Sequence, residues 1–261
     1  MTCDVGRESV LSVPLSDPAQ RRDIDPLELY ASAIDTSDYV SALVPLVRRA
    51  VPKIGRLLDV GAGGGQLGAA LSDPARSWTT IEPSATMRAR LARLARPPRV
   101  IAAGWETADL PEGGHDTVLA ATMPAFFDQP EAFLARCRAW ARRSVVWVVP
   151  GHAGPRGLCF AGCLPGEWHR EDETPGIDIV MRGLAPSSRP HHVAFSDWTF
   201  SGVVKDLDRL SAYLADRLGW AARDLRRAEL ERHLVAQARP DAAGARLDIA
   251  RKSAVLFWGS R

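Results

Sequence analysis

The 261-residue sequence predicts an α/β fold, a doubly wound and mostly parallel sheet of seven strands with helices on both faces. Three observations carry that reading. Short apolar runs alternate with helical patterns from residue 56 to residue 149, the rhythm of β/α units stacked into one parallel sheet. One of those runs, Leu57-Leu58-Asp59-Val60, passes straight into Gly61-Ala62-Gly63-Gly64-Gly65 and then into a helical pattern. Glycines at such a bend let the backbone approach a ligand, and the helix start that follows offers free N–H donors. The composition, 46% hydrophobic and 25% charged, is that of a chain able to bury a full core.

Residues 1–24 are polar, carry Pro14 and Pro18, and read as an N-terminal arm. One domain is expected over 25–261. Pro26 suits a first helical turn, with Leu27, Tyr30, Ala31 and Ile34 at helical spacing. Ser37 and Asp38 are expected to cap a second helix that buries Val40, Leu43, Val44 and Val47. Strands follow at 56–60, 77–81, 99–102, 115–121 and 144–149, with helices at 66–71, 84–94 and 130–142. A Gly- and Pro-rich stretch over 151–174 is longer than an ordinary connection and is expected to act as a lid or binding loop. A strand at 191–201, helical patterns at 203–218 and 221–238, and a last strand at 251–258 complete the chain. The two helices form an insertion over 203–240, between the last two strands, expected to cap a pocket.

Lys plus Arg number 33 against 31 Asp plus Glu, so no basic footprint for nucleic acid or an anionic membrane surface stands out. No run approaches the roughly 20 apolar residues that span a bilayer, and the start lacks a signal-peptide core. A cytoplasmic protein is expected, with Cys3, Cys137, Cys159 and Cys163 as reduced thiols. His152, Cys159, Cys163 and His169 have the atom types of a zinc site, but their spacing matches no familiar zinc module, so no metal is expected.

The second predicted strand ends in Thr80-Ile81-Glu82-Pro83, 21 residues after Gly61. A carboxylate there is placed to accept hydrogen bonds from both ribose hydroxyls of an adenosine. These residues resemble the class I, Rossmann-like S-adenosylmethionine-dependent methyltransferases, in their small-molecule branch. In that family the first strand ends in an acid followed by G-x-G-x-G, matched by Asp59, Gly61, Gly63 and Gly65. Trp105-Glu106-Thr107-Ala108-Asp109-Leu110-Pro111 is similar to the family's Gly-Asp-Ala-x-x-Leu-Pro stretch, with Trp105 in place of the Gly. His115-Asp116-Thr117-Val118 is similar to its Phe-Asp-x-Val strand, and Asp128-Gln129-Pro130-Glu131 leads into a helix start of the same kind.

The resemblance spans about 30–149. It implies an antiparallel last strand, S-adenosylmethionine as cofactor and S-adenosylhomocysteine as product. It places Tyr30, Asp59, Gly61, Ala62, Gly63, Gly65, Glu82, Pro83, Trp105, Glu106, Thr107 and Ala121 around the cofactor, Glu106 facing the adenine amine and the Thr107 amide the ring nitrogen. Tyr39 is expected, with Tyr30, to close the amino-acid end. No Asn-Pro-Pro-Tyr motif follows the fourth strand, where 121–126 reads Ala-Thr-Met-Pro-Ala-Phe, so the expected partner is a small-molecule acceptor rather than a nucleic-acid base.

Methyl transfer is an in-line displacement that positioning and desolvation can drive, and it needs a base only when the acceptor must lose a proton. His152 and His169, near Glu171, Asp172 and Glu173, are the candidates for such a base. Trp105, Phe126, Trp168 and Trp198 are candidate aromatic walls. Two other functions stay open at this point. One is a cofactor-binding regulatory protein with the same fold. The other is an NAD-dependent oxidoreductase, because Gly63-Gly64-Gly65-Gln66-Leu67-Gly68 satisfies G-x-G-x-x-G; Asp59, where a dinucleotide-binding strand is normally apolar, argues against it. A monomer and a homodimer fit equally.

Overall fold

The structure, a computed structural model, describes residues 24–122 and 127–259. The expected arm up to residue 23, Cys3 and Phe126 lie outside the described residues. The strands are β1 (Leu57–Val60), β2 (Trp78–Ile81), β3 (Arg99–Ile101), β4 (His115–Ala121), β5 (Ala141–Pro150), β6 (His192–Val204), β7 (Arg239–Asp241) and β8 (Gly244–Gly259). They join in the order β3-β2-β1-β4-β5-β8-β6. The first five run parallel, and β8 inserts antiparallel between β5 and β6.

The helices are α1 (Pro26–Thr36), α2 (Tyr39–Ala50), α3 (Gln66–Leu71), α4 (Ala85–Leu91), α5 (Pro130–Trp140), α6 (Gly166–His169), α7 (Gly176–Gly183), α8 (Leu207–Arg217) and α9 (Arg226–Gln237). Successive strand residues point to opposite faces, and the core divides accordingly. Val146 and Val148 of β5 join Leu57, Val255 and the buried sides of α2, α8 and α9. Val145, Trp147 and Val149 join Leu256, Trp258 and the apolar sides of α5 and α7 on the other face. This is the two-sided burial of a doubly wound sheet, and it explains why β5 reads as an unbroken apolar run.

Three expectations need correction. Among the described residues the sheet has eight strands rather than seven, because β7 pairs with the start of β8 around Asp241 and Gly244. A Cβ on Gly244 would come within 2.3 Å of the Val204 carbonyl oxygen, so only glycine fits the corner. The last strand begins at residue 244 rather than 251; buried Leu247 and Ile249 alternating with exposed Asp248 and Ala250 are the period-two signal that marks its early part. Helix α7 falls where no helix was expected, its short apolar pattern hidden between Gly176 and Gly183.

The expected cap of α2 also works differently. Asp38 makes no capping bond. Its carboxylate accepts from the Thr199 amide at 2.6 Å, and Ser37 Oγ accepts from the Ser201 amide at 2.9 Å, so both side chains latch the α1–α2 pair onto β6. Among the described residues no helix is long and apolar enough to cross a membrane.

Candidate cofactor cleft and adjoining cavity

Strand order reverses between β1 and β4, the point at which an open α/β sheet leaves a crevice beyond its strand ends. The glycine loop sits there. Gly61, Gly63 and Gly65 all have left-handed φ, at 66°, 54° and 78°, a region costly for side-chain-bearing residues. The Gly61 amide donates to the Ile81 carbonyl at 2.8 Å, and the Gly65 amide closes a turn on the Ala62 carbonyl at 2.9 Å. A Cβ on Gly65 would come within 2.5 Å of Leu91, whereas one on Gly63 would meet nothing within 4 Å. Gly65 therefore serves packing, and Gly63 turns an open side to the cleft.

Glu82, only 3% exposed, lies beneath this loop. One carboxylate oxygen accepts from the Gly63 amide at 2.8 Å and the other from the Ser84 amide at 2.8 Å. Each oxygen keeps a lone pair for another donor. Pro83 continues the turn, its carbonyl accepting from Arg88. Asp59, also 3% exposed, receives no hydrogen bond among the described residues. Burial first, and the charge of Glu82 second, push its pKa up to about 7. Gly68 makes room for that carboxylate: a Cβ there would lie 2.1 Å from Asp59 Oδ2.

Helix α1 closes over the loop. Gln66 donates to the Ala31 carbonyl at 3.0 Å and to Asp35 at 2.8 Å. Arg90 of α4 pairs with Glu28 at 2.7 Å and with Asp35, and Thr86 donates to Asp25 at 2.9 Å. Ala121 ends β4 and is followed by Thr122 at φ 58°, an uncommon conformation for a β-branched residue. The Tyr39 hydroxyl lies 2.8 Å from Thr122 Oγ1. Burial, reinforced by the charge of Asp59, raises the Tyr39 phenol above its usual pKa, so it stays a neutral hydrogen-bonding group.

Tyr30 stacks on Phe200 with ring centroids 5.6 Å apart and borders a cavity of about 230 Å³. Residues 152 and 154–160 of the loop after β5 line this cavity together with Thr122, Trp198 and Arg251. Helices α8 and α9 do not line it. Residues 217–220 and Arg226 instead border a separate, more open groove of about 750 Å³ with residues 168–172.

The two histidines part company. His152 lines the cavity, its Nδ1 3.0 Å from the Lys252 amide nitrogen and 3.3 Å from the Lys252 carbonyl oxygen. His169 lies at the other groove with both nitrogens engaged, Nδ1 accepting from the Glu171 amide at 3.1 Å and Nε2 3.4 Å from Glu173. The Glu171 carboxylate accepts from the Arg156, Gly157 and Leu158 amides at 2.5–2.8 Å, so it shapes the loop rather than facing a ligand.

The stretch after β3 also differs from expectation. Trp105 is half-buried and meets Phe133 edge-on at 5.3 Å, packed against the core beneath α5, and it does not line the cavity beside Tyr30. The Thr107 amide donates to the Gly104 carbonyl at 3.3 Å within a local turn, instead of standing free for a ring nitrogen. Glu106 is exposed and bends back over Gly104. Trp168 packs against Trp220 and His233. Cys137, Cys159 and Cys163 are free thiols, and burial pushes Cys159 and Cys163 up to about 12. Among the described residues no three His, Cys, Asp or Glu side chains form a group able to hold a metal ion.

Sequence reasoning overlooked Phe160, Phe200 and Arg251. Arg251 stood only at the start of the expected last strand, followed by Lys252 and Ser253, and no local pattern set it apart.

Comparison with known proteins bears on the same region. Residues 58–148, from β1 to β5, match a family model described as a methyltransferase domain. The structure of a candidate type II methyltransferase from Anaeromyxobacter dehalogenans superposes with a TM-score of 0.51 at 19% identity, covering 83% of this chain and 94% of that one. A candidate methyltransferase from Bacillus halodurans gives 0.49 at 12% identity, covering 84% and 98%. The plantazolicin methyltransferase BpumL, solved in complex with SAH, gives 0.39 at 14%, covering 94% and 92%. No curated protein matches the chain by sequence. Residues 58–148 are thus similar to a methyltransferase domain, and the chain as a whole has a Rossmann-like fold shared with the Anaeromyxobacter dehalogenans structure.

Proposed function

We propose that the chain transfers a methyl group from S-adenosylmethionine to a small-molecule acceptor held in the cavity beside Tyr30. The observation that carries this reading is the Glu82 carboxylate, buried under the glycine loop and anchored by the Gly63 and Ser84 amides with lone pairs to spare. That arrangement fits the two ribose hydroxyls of an adenosine. The donor set fits the rest of the cofactor as well. Asp59 is a buried carboxylate whose raised pKa an ammonium group would lower, and the open side of Gly63 admits backbone-close contact.

S-adenosylmethionine, when bound, supplies a methyl group on a positively charged sulfur. Glu82 would hold the ribose, Asp59 the amino-acid end with Tyr39 nearby, and exposed Glu106 would reach the adenine amine only after unbending from Gly104. The mostly apolar cavity would hold the acceptor beside the methyl group, the kind of positioning that can replace several kcal/mol of barrier. His152, held at Nδ1 by the Lys252 backbone, offers its other ring nitrogen for orienting a polar group of the acceptor. A volume of about 230 Å³ suits a small acceptor rather than a polynucleotide.

The test is calorimetric titration of the protein and of Glu82→Ala with S-adenosylhomocysteine and, separately, with NAD. Saturable binding of the former, weakened in the variant and absent for NAD, is the expected result. Binding of NAD in its place would overturn the proposal.

A further inference from the structure

Aromatic and aliphatic side chains make most of the cavity wall, among them Phe127, Leu158, Phe160, Trp198 and Phe200. Three cationic side chains also line it: Arg156 pairs with Asp172 at 2.9 Å, Lys252 pairs with Asp197 at 3.3 Å, and Arg251 is the third. Arg251, half-buried on β8 opposite Trp198, makes no ion pair among the described residues. Its hydrogen bond is a long one, from Nη1 to the Pro155 carbonyl at 3.4 Å. Glu171 is the carboxylate whose field it feels, but both oxygens of Glu171 are held by the amides of residues 156–158. The lid loop keeps space for the guanidinium, since a Cβ on Gly154 or Gly162 would come within 3.2 or 3.0 Å of its terminal nitrogens.

Burial holds the Arg251 pKa below its usual value, only partly offset by Tyr30, Cys163, Cys159 and Glu171. A guanidinium carries five N–H donors in a fixed fork. Half-buried, with one long hydrogen bond and no ion pair among the described residues, Arg251 has donors free for an arriving anion, and a carboxylate matches the fork. The cavity volume of about 230 Å³ lies below the usual range for drug-sized ligands and admits one ring.

We propose that the ligand of this cavity is a small, single-ring organic carboxylate, anchored through its carboxylate on Arg251 with its ring among Phe160, Trp198 and Phe200. That this ligand is the methyl acceptor rests on the function proposed above; the carboxylate site does not.

The experiment titrates the full-length wild-type protein with benzoate, salicylate and 4-hydroxybenzoate and with the matching neutral amides, each with and without S-adenosylhomocysteine. At least one acid is expected to bind at least about tenfold more tightly than its amide, and Arg251→Met is expected to erase that preference while leaving S-adenosylhomocysteine affinity in place. Equal binding of acids and amides, binding of no acid, or a preference that survives in Arg251→Met overturns the proposal. If Arg251→Met fails to fold, the wild-type acid–amide comparison decides. Loss of S-adenosylhomocysteine binding alongside an intact acid preference would sink the methyltransferase reading and leave the carboxylate site standing. Cofactor binding without acid preference would do the reverse.

Discussion

The floor of the candidate cofactor cleft and the wall of the adjoining cavity are built in opposite ways. The floor comes from one stretch of chain, residues 57–84, and backbone groups do most of its work: left-handed glycines, their amides, and a carboxylate that those amides hold. The wall draws on α1, on Thr122, on the loop after β5, and on β6 and β8, more than 200 residues apart in sequence, and is made of side chains. Backbone geometry tolerates changes of residue wherever glycine and one acid are kept. A side-chain wall changes its ligand with each substitution. The match to a family model falls on β1 to β5 and so takes in the whole floor but little of the wall.

The comparison breaks most readily at Glu82. Glu82→Ala removes the proposed ribose acceptor and leaves two loop amides unsatisfied; a loss of about 100-fold in S-adenosylhomocysteine affinity is expected, with a stability cost of about 1–3 kcal/mol. Unchanged affinity in calorimetry would mean that the floor is not the cofactor site.

Two glycines sharpen it further. Gly65→Ala drives a Cβ into Leu91 at a left-handed position and should cost about 2 kcal/mol in denaturant melts. Gly63→Ala meets no neighbour and should lose about 1 kcal/mol from its φ alone, yet weaken cofactor binding more than Gly65→Ala does at equal folded fraction. The opposite ranking would show that Gly63 does not face the ligand.

Asp59 makes the floor pH-sensitive. Its folded pKa of about 7 stands above the ordinary 3.8, so the folded state holds an extra proton between those values. Stability should therefore fall as pH rises from about 4 towards 7 and level off above, and Asp59→Asn should flatten that slope in urea melts at pH 5, 6 and 8. An ammonium arriving beside Asp59 would displace the proton, so cofactor binding at pH 6 should release it into the buffer, measured by calorimetry in buffers of different ionisation enthalpy.

The smallest effects belong to the parts that join the two regions. Glu171→Gln removes the charge that gathers three loop amides and should loosen the cavity wall by about 1–2 kcal/mol, read as faster proteolysis near residues 156–158, with cofactor affinity unchanged. Arg90→Ala breaks the clasp between α1 and α4. Because Glu28 and Asp35 are largely exposed, the loss should stay under about 1 kcal/mol and shrink in high salt.

The sequence by itself determined the β/α succession, the glycine loop, Asp59 and Glu82. These are local features: hydrophobic period, positive φ and a strand-end acid are written in consecutive residues. Residue identity alone did not show that Asp38 would latch onto β6 instead of capping its own helix, or that the Thr107 amide would be taken by a nearby carbonyl. Several donors and acceptors were within reach, and packing chose among them. Tertiary structure also decided that Trp105 packs half-buried against Phe133, that His152 but not His169 borders the cavity, that β7 joins the sheet, and that Arg251 stands in a mostly apolar wall with no ion-pair partner among the described residues. Each of these depends on which distant side chains meet, a relation that no local pattern carries.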